Sequence, residues 1–390
     1  MEAAVCDICN NNNFDVVSME YFTEHSGGKK YPVVTCVCCI CGHVFMNPRQ
    51  RDSELDEFYK KQFRESFEVS RGEKIGLFKE EMDFITKVLG HGNGRHALEI
   101  GCYAGYMLKR LQDNGWDVEG VEPNPTSANR ARELFGINVH TFTINDFAVD
   151  KSECYDLIVM GSVLEHVNSP TRTLLKVNRL LKEDGHLLIR VPDVENPNLD
   201  TVSSIFVLEH PNMFSRNAIR MLYQKTGMDE IEEMSHEKFK QHIISMAQKK
   251  MHTDKEKSFT ISNHHDKTLD LINSYSIRIN AERQRIELIL EHLYYPEPRN
   301  VAIYGAGNHT EFLLRYTGLN RANIKCLLDS NPEKLGAKFL GFDIRDPVTI
   351  DLNDINAVVI SSRAFQEEIY QRIQYMEKKG VEVIQLYKLS

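Results

Sequence analysis

Short strand-like apolar runs alternate with helical segments through the middle of the chain. The strand-like runs occupy residues 96–100, 118–121, 157–160 and 186–191. Helical segments with apolar residues three or four positions apart lie between them, at residues 106–114, 127–135 and 171–181. Such an alternation predicts an α/β fold, with a parallel sheet that carries helices on both faces.

The flanking regions follow other patterns. Residues 35–46 read as a strand, and residues 52–89 carry helical periodicity. From 229 to 293 the strand signals fade and the sequence becomes polar and helical, before a second strand–glycine–helix unit begins at 301. We therefore predict an N-terminal module (1–72), a Rossmann-like domain (73–228), a helical connector (229–298) and a smaller Rossmann-like domain (299–390).

Composition excludes several classes of protein. The 390 residues are 42% hydrophobic and 26% charged, as is typical of a soluble globular protein. No apolar run approaches the roughly 20 residues of a membrane helix, and no signal peptide opens the sequence. A net charge of -9 argues against nucleic acid as a partner, because that binding requires the neutralisation of phosphates. We expect a cytoplasmic protein that acts on a small molecule.

Six of the nine cysteines lie in the first 41 residues. An odd total without a secretion signal argues against a disulfide framework. Two C-x2-C knuckles, about 28 residues apart, instead supply the four soft ligands of a tetrahedral zinc site. Such a site is closed, so we expect its zinc to be structural; a reduced, metal-free cluster is the alternative. The predicted ligands are Cys6, Cys9, Cys38 and Cys41.

A competing knuckle pairs Cys36 with Cys39. We favour Cys38 and Cys41 because Gly42 follows the last cysteine, and glycine permits the tight turn that brings amides close to sulfur.

The loop after the first strand of the α/β domain carries the main candidate chemistry. Its glycines are spaced Gly-x3-Gly, whereas a dinucleotide site favours G-x-G-x-x-G. Glu99 directly precedes the loop, where it would repel a diphosphate but suits the cationic aminoacyl group of S-adenosylmethionine. The candidate cofactor-binding residues here are Glu99, Gly101, Tyr103 and Gly105.

Two further acids follow the next two strands. Glu122 lies 21 residues beyond Gly101, where a carboxylate can accept both ribose hydroxyls of an adenosine. Asp146 can accept the adenine amine, and Phe147 can pack on the ring. Taken alone, each acid is equally consistent with a surface acid at the end of a strand. Together the three resemble the pattern of class I S-adenosylmethionine-dependent methyltransferases.

Two acid–imidazole pairs, Glu165–His166 and Glu209–His210, follow the strand-like runs at 157–160 and 186–191. Histidine titrates near neutral pH, so it can remove a proton and return it, and a neighbouring carboxylate can orient its ring. His166 is equally readable as a wall of the pocket, and His210 as a loop residue before a proline turn.

The order of zinc knuckles, glycine-loop domain, Glu-His loop, helical connector and terminal glycine-loop domain resembles the three-domain sugar C-methyltransferases. The resemblance implies methyl transfer to carbon 3 of a nucleotide-linked 4-keto-6-deoxysugar. It also implies that His210 is the general base, with Glu209 beside it. That family commonly has Tyr-His before the Glu-His pair, whereas this chain has Val207 and Leu208. O-methylation of a hydroxyl, and a non-catalytic zinc-stabilised binding protein, therefore stay open.

The terminal domain begins with a second glycine loop, Gly305-Ala306-Gly307-Asn308-His309. Thr310 stands where a dinucleotide motif has its third glycine, so binding of NAD is a weak match. The family resemblance implies instead that Gly305, Gly307, Asn308 and His309 help to hold the nucleotide-sugar; a purely architectural role is the alternative.

Overall fold

The computed structural model describes residues 1–23, 30–61, 78–147, 152–197, 206–235, 240–250 and 261–387. The chain forms two compact units, and within the described ranges the first runs to Leu271 and the second from Ile272. Both units contain largely parallel sheets with helices, which confirms the predicted α/β class. Among the described helices, none has both the length and the apolar character of a membrane span.

The N-terminal module is a small antiparallel sheet. Its order is β1-β2-β3-β9, and β9 is supplied by a later segment of the first unit. The prediction of one strand over residues 35–46 corresponds to two strands, because the second cysteine knuckle makes the turn between them. The bounds are β1 Phe14–Thr23, β2 Lys30–Cys38, β3 Val44–Met46 and β9 Asn212–Met213.

A seven-stranded sheet forms the centre of the first unit. Its strands are β4 His96–Ile100, β5 Asp117–Val121, β6 Asn138–His140, β7 Tyr155–Gly161, β8 Leu181–Pro192, β10 Met228–Glu233 and β11 His242–Lys249. They lie in the order β10-β11-β8-β7-β4-β5-β6. The five strands from β8 to β6 are parallel, and β11 runs antiparallel to both of its neighbours.

Helices cover this sheet, and local sequence sets where they begin. Asn124, Ser169 and Ser215 each accept a hydrogen bond from a first-turn amide, which stabilises the start of a helix. The helices are α1 Asp52–Lys61, α2 Lys79–Leu89, α3 Tyr106–Asp113, α4 Pro125–Phe135, α5 Pro170–Leu180 and α6 Arg216–Lys225. A short 3-10 turn, Leu164–His166, precedes α5.

The helical reading of residues 229–298 is wrong for its first part. β10 and β11 occupy residues 228–249 and complete the central sheet, so the predicted boundary at 228 cuts through that sheet. The apolar run of β11 is short, and a run of that length does not distinguish strand from helix. The helix begins at α7, His265–Leu290. The predicted boundary at 72, and the part of the 52–89 helix at residues 62–77, lie outside the described residues.

The second unit is a smaller α/β domain, in agreement with the sequence. Its sheet has the order β14-β15-β13-β12-β16-β17, and only β14 is antiparallel. The strands are β12 Asn300–Tyr304, β13 Asn323–Leu328, β14 Lys338–Phe339, β15 Phe342–Arg345, β16 Ala357–Ile360 and β17 Glu382–Gln385. Its helices include α8 Asn308–Tyr316 and α9 Gln366–Ile373.

Candidate active site and cysteine cluster

A cavity of about 400 Å³ opens at the carboxyl ends of β4, β5 and β7. In an open parallel sheet this edge is where ligands bind. The residues that line the cavity include four of the predicted site residues beside β4 and β5 and one histidine of the acceptor side. They are Glu99, Gly101, Tyr103, Glu122 and His166.

The glycine loop is shaped by two left-handed glycines. Gly101 has φ 73°, and a Cβ there would lie 2.5 Å from Val163 Cγ2. Gly105 has φ 79° at the start of α3, and its Cβ would lie 2.9 Å from Ala131 Cβ. A side chain at either position would meet both a strained backbone and a packed neighbour. Gly105 is not among the cavity-lining residues, so its role is to bring α3 against α4.

Glu122 anchors the other wall of this loop. Its two carboxylate oxygens accept hydrogen bonds from the main-chain amides of Tyr103 and Asn124, each at 2.9 Å. Burial raises the pKa of Glu122, while these two amides act in the opposite direction. A carboxylate oxygen accepts more than one hydrogen bond, so Glu122 can still receive hydroxyl groups from the cavity.

Glu99 is a buried carboxyl of the cavity with one unpaired oxygen. Its side chain is buried, with 6% of the residue exposed, and its Oε2 atom has no hydrogen-bond partner among the described residues. Burial raises its pKa well above the ordinary value; Arg190 opposes this effect, whereas Glu122 and Glu81 add to it. A main-chain hydrogen bond from Leu108 also opposes the rise in its pKa. A buried carboxyl with one unpaired oxygen favours a cationic ligand, because such a ligand compensates the cost of ionisation.

The residues predicted to contact the adenine, Asp146 and Phe147, do not line the cavity. Phe147 lies in the hydrophobic core, 3% exposed, with its ring centroid 5.2 Å from that of His140. Asp146 does not line the cavity, and its carboxylate accepts the Thr143 hydroxyl at 3.1 Å. The turn that follows β6 directs neighbouring side chains inward instead, and the cavity is lined there by Phe142, Thr143, Ile144 and Asn145.

His166 lines the cavity, and its ring is in contact with Glu209 and Tyr59. Its Nδ1 atom lies 2.8 Å from the main-chain oxygen of Glu209 and 2.8 Å from the hydroxyl of Tyr59. A carbonyl oxygen can only accept, so Nδ1 carries the proton in that contact. Glu209 thus contacts His166 through its main-chain oxygen, whereas the sequence analysis placed its carboxylate beside His210.

His210 lies edge-on against His166, with ring centroids 4.7 Å apart, but it is not among the cavity-lining residues. Glu165 lies on the other side, with Oε1 3.8 Å from His166 Nε2. Burial raises the pKa of Glu165 to about 8, so its carboxyl is largely protonated at neutral pH. The structure therefore brings the two predicted histidines together with one acid.

Sequence reasoning missed Tyr59. It belongs to α1, far from the other site residues in the chain, yet it lines the cavity and its hydroxyl also donates to the Glu209 carbonyl at 3.3 Å. This hydroxyl lies beside the two histidines, whereas Leu208, at a position where the resembling family has a polar side chain, is buried. No local motif marks Tyr59; only its place in the fold does.

The four predicted cysteine ligands converge. Cys6 Sγ lies 3.5 Å from Cys41 Sγ, and Cys9 Sγ lies 3.4 Å from Cys38 Sγ. All four sulfur atoms lie within 4.8 Å of one another, the arrangement that a tetrahedral metal ion requires. We call this set the cysteine cluster.

The competing knuckle is not formed. Cys36 is buried in the core, and Cys39 points to Asp15, with Sγ 3.8 Å from its carboxylate. Gly42 has φ 71°, and a Cβ there would lie 2.7 Å from the main chain of His264. The turn therefore needs glycine, as the sequence predicted.

The first knuckle also holds the start of α5. The carboxylate of Asp7 accepts the Ser169 hydroxyl at 2.7 Å and the Thr171 amide at 2.6 Å. From α6, the ammonium of Lys225 donates to the carbonyls of Asp7 and Ile8, both at 2.7 Å. The cysteine cluster is thus linked to the segment that directly follows His166.

Polar groups in and beside the second glycine loop are hydrogen-bonded to other residues of the second unit. The carboxylate of Asp329, directly after β13, accepts hydrogen bonds from the Ala306 amide at 3.1 Å and the Lys334 ammonium at 2.9 Å. His309 contacts the Ser361 hydroxyl at 3.1 Å and the Tyr387 hydroxyl, and burial lowers its pKa to about 4. His309 is therefore neutral and held within the domain.

Two glycines of this loop differ in the space beside them: Gly305 is closely packed, and Gly307 is not. A Cβ at Gly305, which has φ 120°, would lie 2.9 Å from the carbonyl of Ser361. A Cβ at Gly307 would meet nothing within 4 Å, and the main chain of Asn308 begins α8 directly after it. Open space therefore lies beside Gly307 rather than beside His309.

Two curated relatives are similar to part of this chain. A ubiquinone biosynthesis O-methyltransferase of Alkalilimnicola ehrlichii is 25% identical over 113 residues, 27% of this chain and 45% of the relative. One from Actinobacillus pleuropneumoniae serotype 7 is 29% identical over 151 residues, 35% of this chain and 62% of the relative. The chain thus spans about half the length of the curated relatives that it matches.

Solved structures of low identity are also similar. One is the 1,6-didemethyltoxoflavin-N1-methyltransferase of Burkholderia thailandensis, with its substrate and S-adenosylhomocysteine bound; it is 14% identical with a TM-score of 0.41, over 54% of this chain and 96% of that one. Another is an S-adenosylmethionine-dependent methyltransferase from Mesorhizobium loti, 12% identical with a TM-score of 0.37, over 44% and 98%.

Two family matches cover most of the chain in succession. Residues 73–233 match the family described as methyltransferase domain. Residues 234–386 match the family described as C-methyltransferase C-terminal domain. These residues are thus similar to a methyltransferase domain and, after it, to a C-methyltransferase C-terminal domain, and the two matches support a methyltransferase enzyme.

Proposed function

We propose that this chain transfers a methyl group from S-adenosylmethionine to carbon 3 of a nucleotide-linked 4-keto-deoxysugar. The observation that carries the donor assignment is the pair of buried carboxyls, Glu99 and Glu122, on one cavity beside a glycine loop. The match of residues 234–386 to a C-methyltransferase C-terminal domain favours carbon as the acceptor.

The residues of the cavity fit the donor in charge and in shape. Glu99 has an unpartnered oxygen for an ammonium group, and Glu122 has oxygens placed to accept ribose hydroxyls. Phe142 and Ile144 provide an apolar wall for the adenine. The bound donor would supply an electrophilic methyl on a sulfonium, so the protein needs positioning and proton removal rather than a catalytic metal.

The donor assignment predicts the effect of Glu122→Gln. Loss of the carboxylate replaces two charge-assisted hydrogen bonds to the ribose by weaker ones, so the Kd for S-adenosylhomocysteine should rise about tenfold. Isothermal titration calorimetry measures this value, and Glu133→Gln, on the exposed face of α4, is the matched control. Unchanged affinity in Glu122→Gln, or thermal stabilisation of the native chain by NAD alone, would contradict the assignment.

On the acceptor side, the proposed base is His210, acting beside His166. The base removes a proton from the carbon next to the keto group, and the resulting enolate carbon forms the new bond to the methyl as the sulfur–carbon bond breaks. His166 lines the cavity with its Nδ1 proton directed to Glu209, which fixes the orientation of its ring. Because the two rings are in contact, the fixed ring of His166 also restricts the orientation of the His210 ring.

An O-methyltransferase is the second candidate. The curated relatives that match the first unit are O-methyltransferases, and the same imidazole can deprotonate an alcohol as it approaches the methyl. The two candidates differ in the product, because only carbon transfer leaves the acceptor hydroxyls unchanged.

Product analysis with a methyl-labelled donor separates these candidates. With a panel of nucleotide 4-ketosugars, we expect a labelled methyl on carbon by NMR and loss of at least 99% of turnover in His210→Ala, because removal of a general base costs about a hundredfold or more. S-adenosylhomocysteine should bind as before. His91→Ala, at an exposed loop, is the control. A methoxy signal would reject carbon transfer, and near-normal turnover of His210→Ala would reject its role.

The second unit is proposed to hold the nucleotide portion of the acceptor. The support is limited to its glycine loop, where the space beside Gly307 and the first amides of α8 suit an anionic group. Since Asp329 is paired with Lys334, we do not propose a dinucleotide there.

We also propose that the cysteine cluster holds one structural zinc ion. Four thiolates complete a tetrahedral site and leave no open position for a reacting group. The ion would fix the first knuckle, and with it the contacts of Asp7 to the start of α5.

This proposal predicts different results for two adjacent cysteines. Cys38→Ser should lose most of the bound zinc, measured by inductively coupled plasma spectrometry, and should lower the Tm. Cys39→Ser, whose sulfur points to Asp15, should retain about one zinc per chain. Absence of zinc from the native protein, or equal loss in both variants, would contradict it.

A further inference from the structure

One N-terminal cysteine belongs neither to the cysteine cluster nor to the hydrophobic core. Cys39 lies in the second knuckle, between Cys38 and Cys41, yet its sulfur lies 3.8 Å from the carboxylate of Asp15 on β1. The residue is half-buried, so solvent reaches it, whereas Cys36 is buried in the core. Cys39 is therefore a thiol of the N-terminal module to which the proposed structural zinc gives no role.

A histidine from a distant part of the first unit lies beside this thiol. His265 is the first residue of α7, and its Nε2 atom lies 2.7 Å from Asp15 Oδ2. One potential ligand atom from each of Asp15, Cys39 and His265 lies within 4.8 Å of the other two. We call these three residues the Asp-Cys-His group. They come from β1, the second knuckle and the start of α7, so no local motif marks them.

Main-chain contacts hold these elements together independently of the three side chains. The amide of Cys39 donates to the carbonyl of Asn13, two residues before Asp15, at 3.1 Å. The turn at Gly42 packs so closely on His264 that a Cβ there would lie 2.7 Å from the main chain of that residue. The fold therefore brings the three side chains together without depending on their mutual attraction.

The imidazole of His265 has the hydrogen-bonding arrangement of a metal ligand. Its Nδ1 atom lies 2.8 Å from the carboxylate of Asp266, and an ionised carboxylate can only accept, so Nδ1 carries a proton. Histidines that bind a metal commonly donate one ring nitrogen to a carboxylate in this way, which orients the other nitrogen toward the ion. In His265 that other nitrogen is Nε2, the atom that faces Asp15.

We propose that the Asp-Cys-His group is a second metal site, which binds one divalent transition-metal ion of the zinc type. Zinc accepts the sulfur, nitrogen and oxygen of these three residue types, and its fourth position is then left to water. The thiol of Cys39 and Nε2 of His265 release their protons to solvent as the ion binds. The resulting thiolate and the Asp15 carboxylate balance the two positive charges of the ion. This inference does not depend on the proposed methyl transfer.

This site differs from the cysteine cluster in exposure and in its ligands. The side chain of Asp15 is 52% exposed and that of His265 is 15% exposed, so an ion can enter from solvent. Ligand atoms in tetrahedral zinc lie about 3 to 4 Å apart, which small rotations of these side chains can reach. With one thiolate instead of four, the ion is held more weakly. We therefore expect the purified chain to carry zinc in the cysteine cluster alone, and the second site to fill when metal is added.

Titration with cobalt(II) tests the proposal, because a thiolate bound to cobalt gives a charge-transfer band in the near ultraviolet. The native protein, with zinc in its cysteine cluster, should bind about one added cobalt per chain and show this band. Cys39→Ser should abolish the band, and Asp15→Asn and His265→Gln should each raise the Kd for cobalt about tenfold or more. Cys154→Ser, at another half-buried cysteine of the first unit, is the matched control and should keep both band and affinity.

The zinc content, measured after each titration, separates a second site from exchange into the cysteine cluster. About one zinc per chain should remain in the native protein and in Cys39→Ser, which also shows that this variant keeps its cluster. Loss of zinc in step with cobalt uptake, or the same band in Cys39→Ser, would overturn the inference. Unchanged affinity in Asp15→Asn and His265→Gln would reduce the site to a single surface thiol and overturn it too, as would the absence of any band in the native protein.

Discussion

Burial of carboxyl groups at the edge of the central sheet is the feature on which the proposed donor site depends. Glu81 and Glu99 are removed from water at the edge of the central sheet, with an unused oxygen on each. Such groups are costly in a protein interior, and the cost falls when a cation enters. The glycine loop leaves room for that ligand. At Gly101 a Cβ would lie 2.5 Å from Val163 Cγ2, so a side chain does not fit there. The proposed donor site therefore rests on charge as well as on shape.

The N-terminal module contacts the segment that follows His166. In its first knuckle, the Asp7 carboxylate accepts hydrogen bonds from Ser169 and Thr171 at the start of α5. These contacts order the segment that follows His166. Tyr59 from α1 completes the support of that histidine. The surroundings of His166, which we propose as the acceptor side, are thus assembled from separate parts of the first unit.

The sequence predicted those features that local chemistry specifies. Spaced cysteines, the glycine loop and the acids that end β4 and β5 are each encoded within a few residues, and the structure places them as expected. Features that depend on tertiary packing were missed or misplaced. Phe147 lies in the core because of a turn whose direction no pattern reveals, and β11 is too short for its periodicity to exclude a helix. Tyr59, Glu81 and Arg190 reach the cavity from distant elements.

A crystal structure of the protein soaked with S-adenosylhomocysteine tests the central claim most directly. The account predicts density in the cavity, with the ribose hydroxyls on Glu122 and the amino group within hydrogen-bond distance of Glu99. An empty cavity at saturating ligand, or the same cavity filled by a nicotinamide dinucleotide, would contradict it.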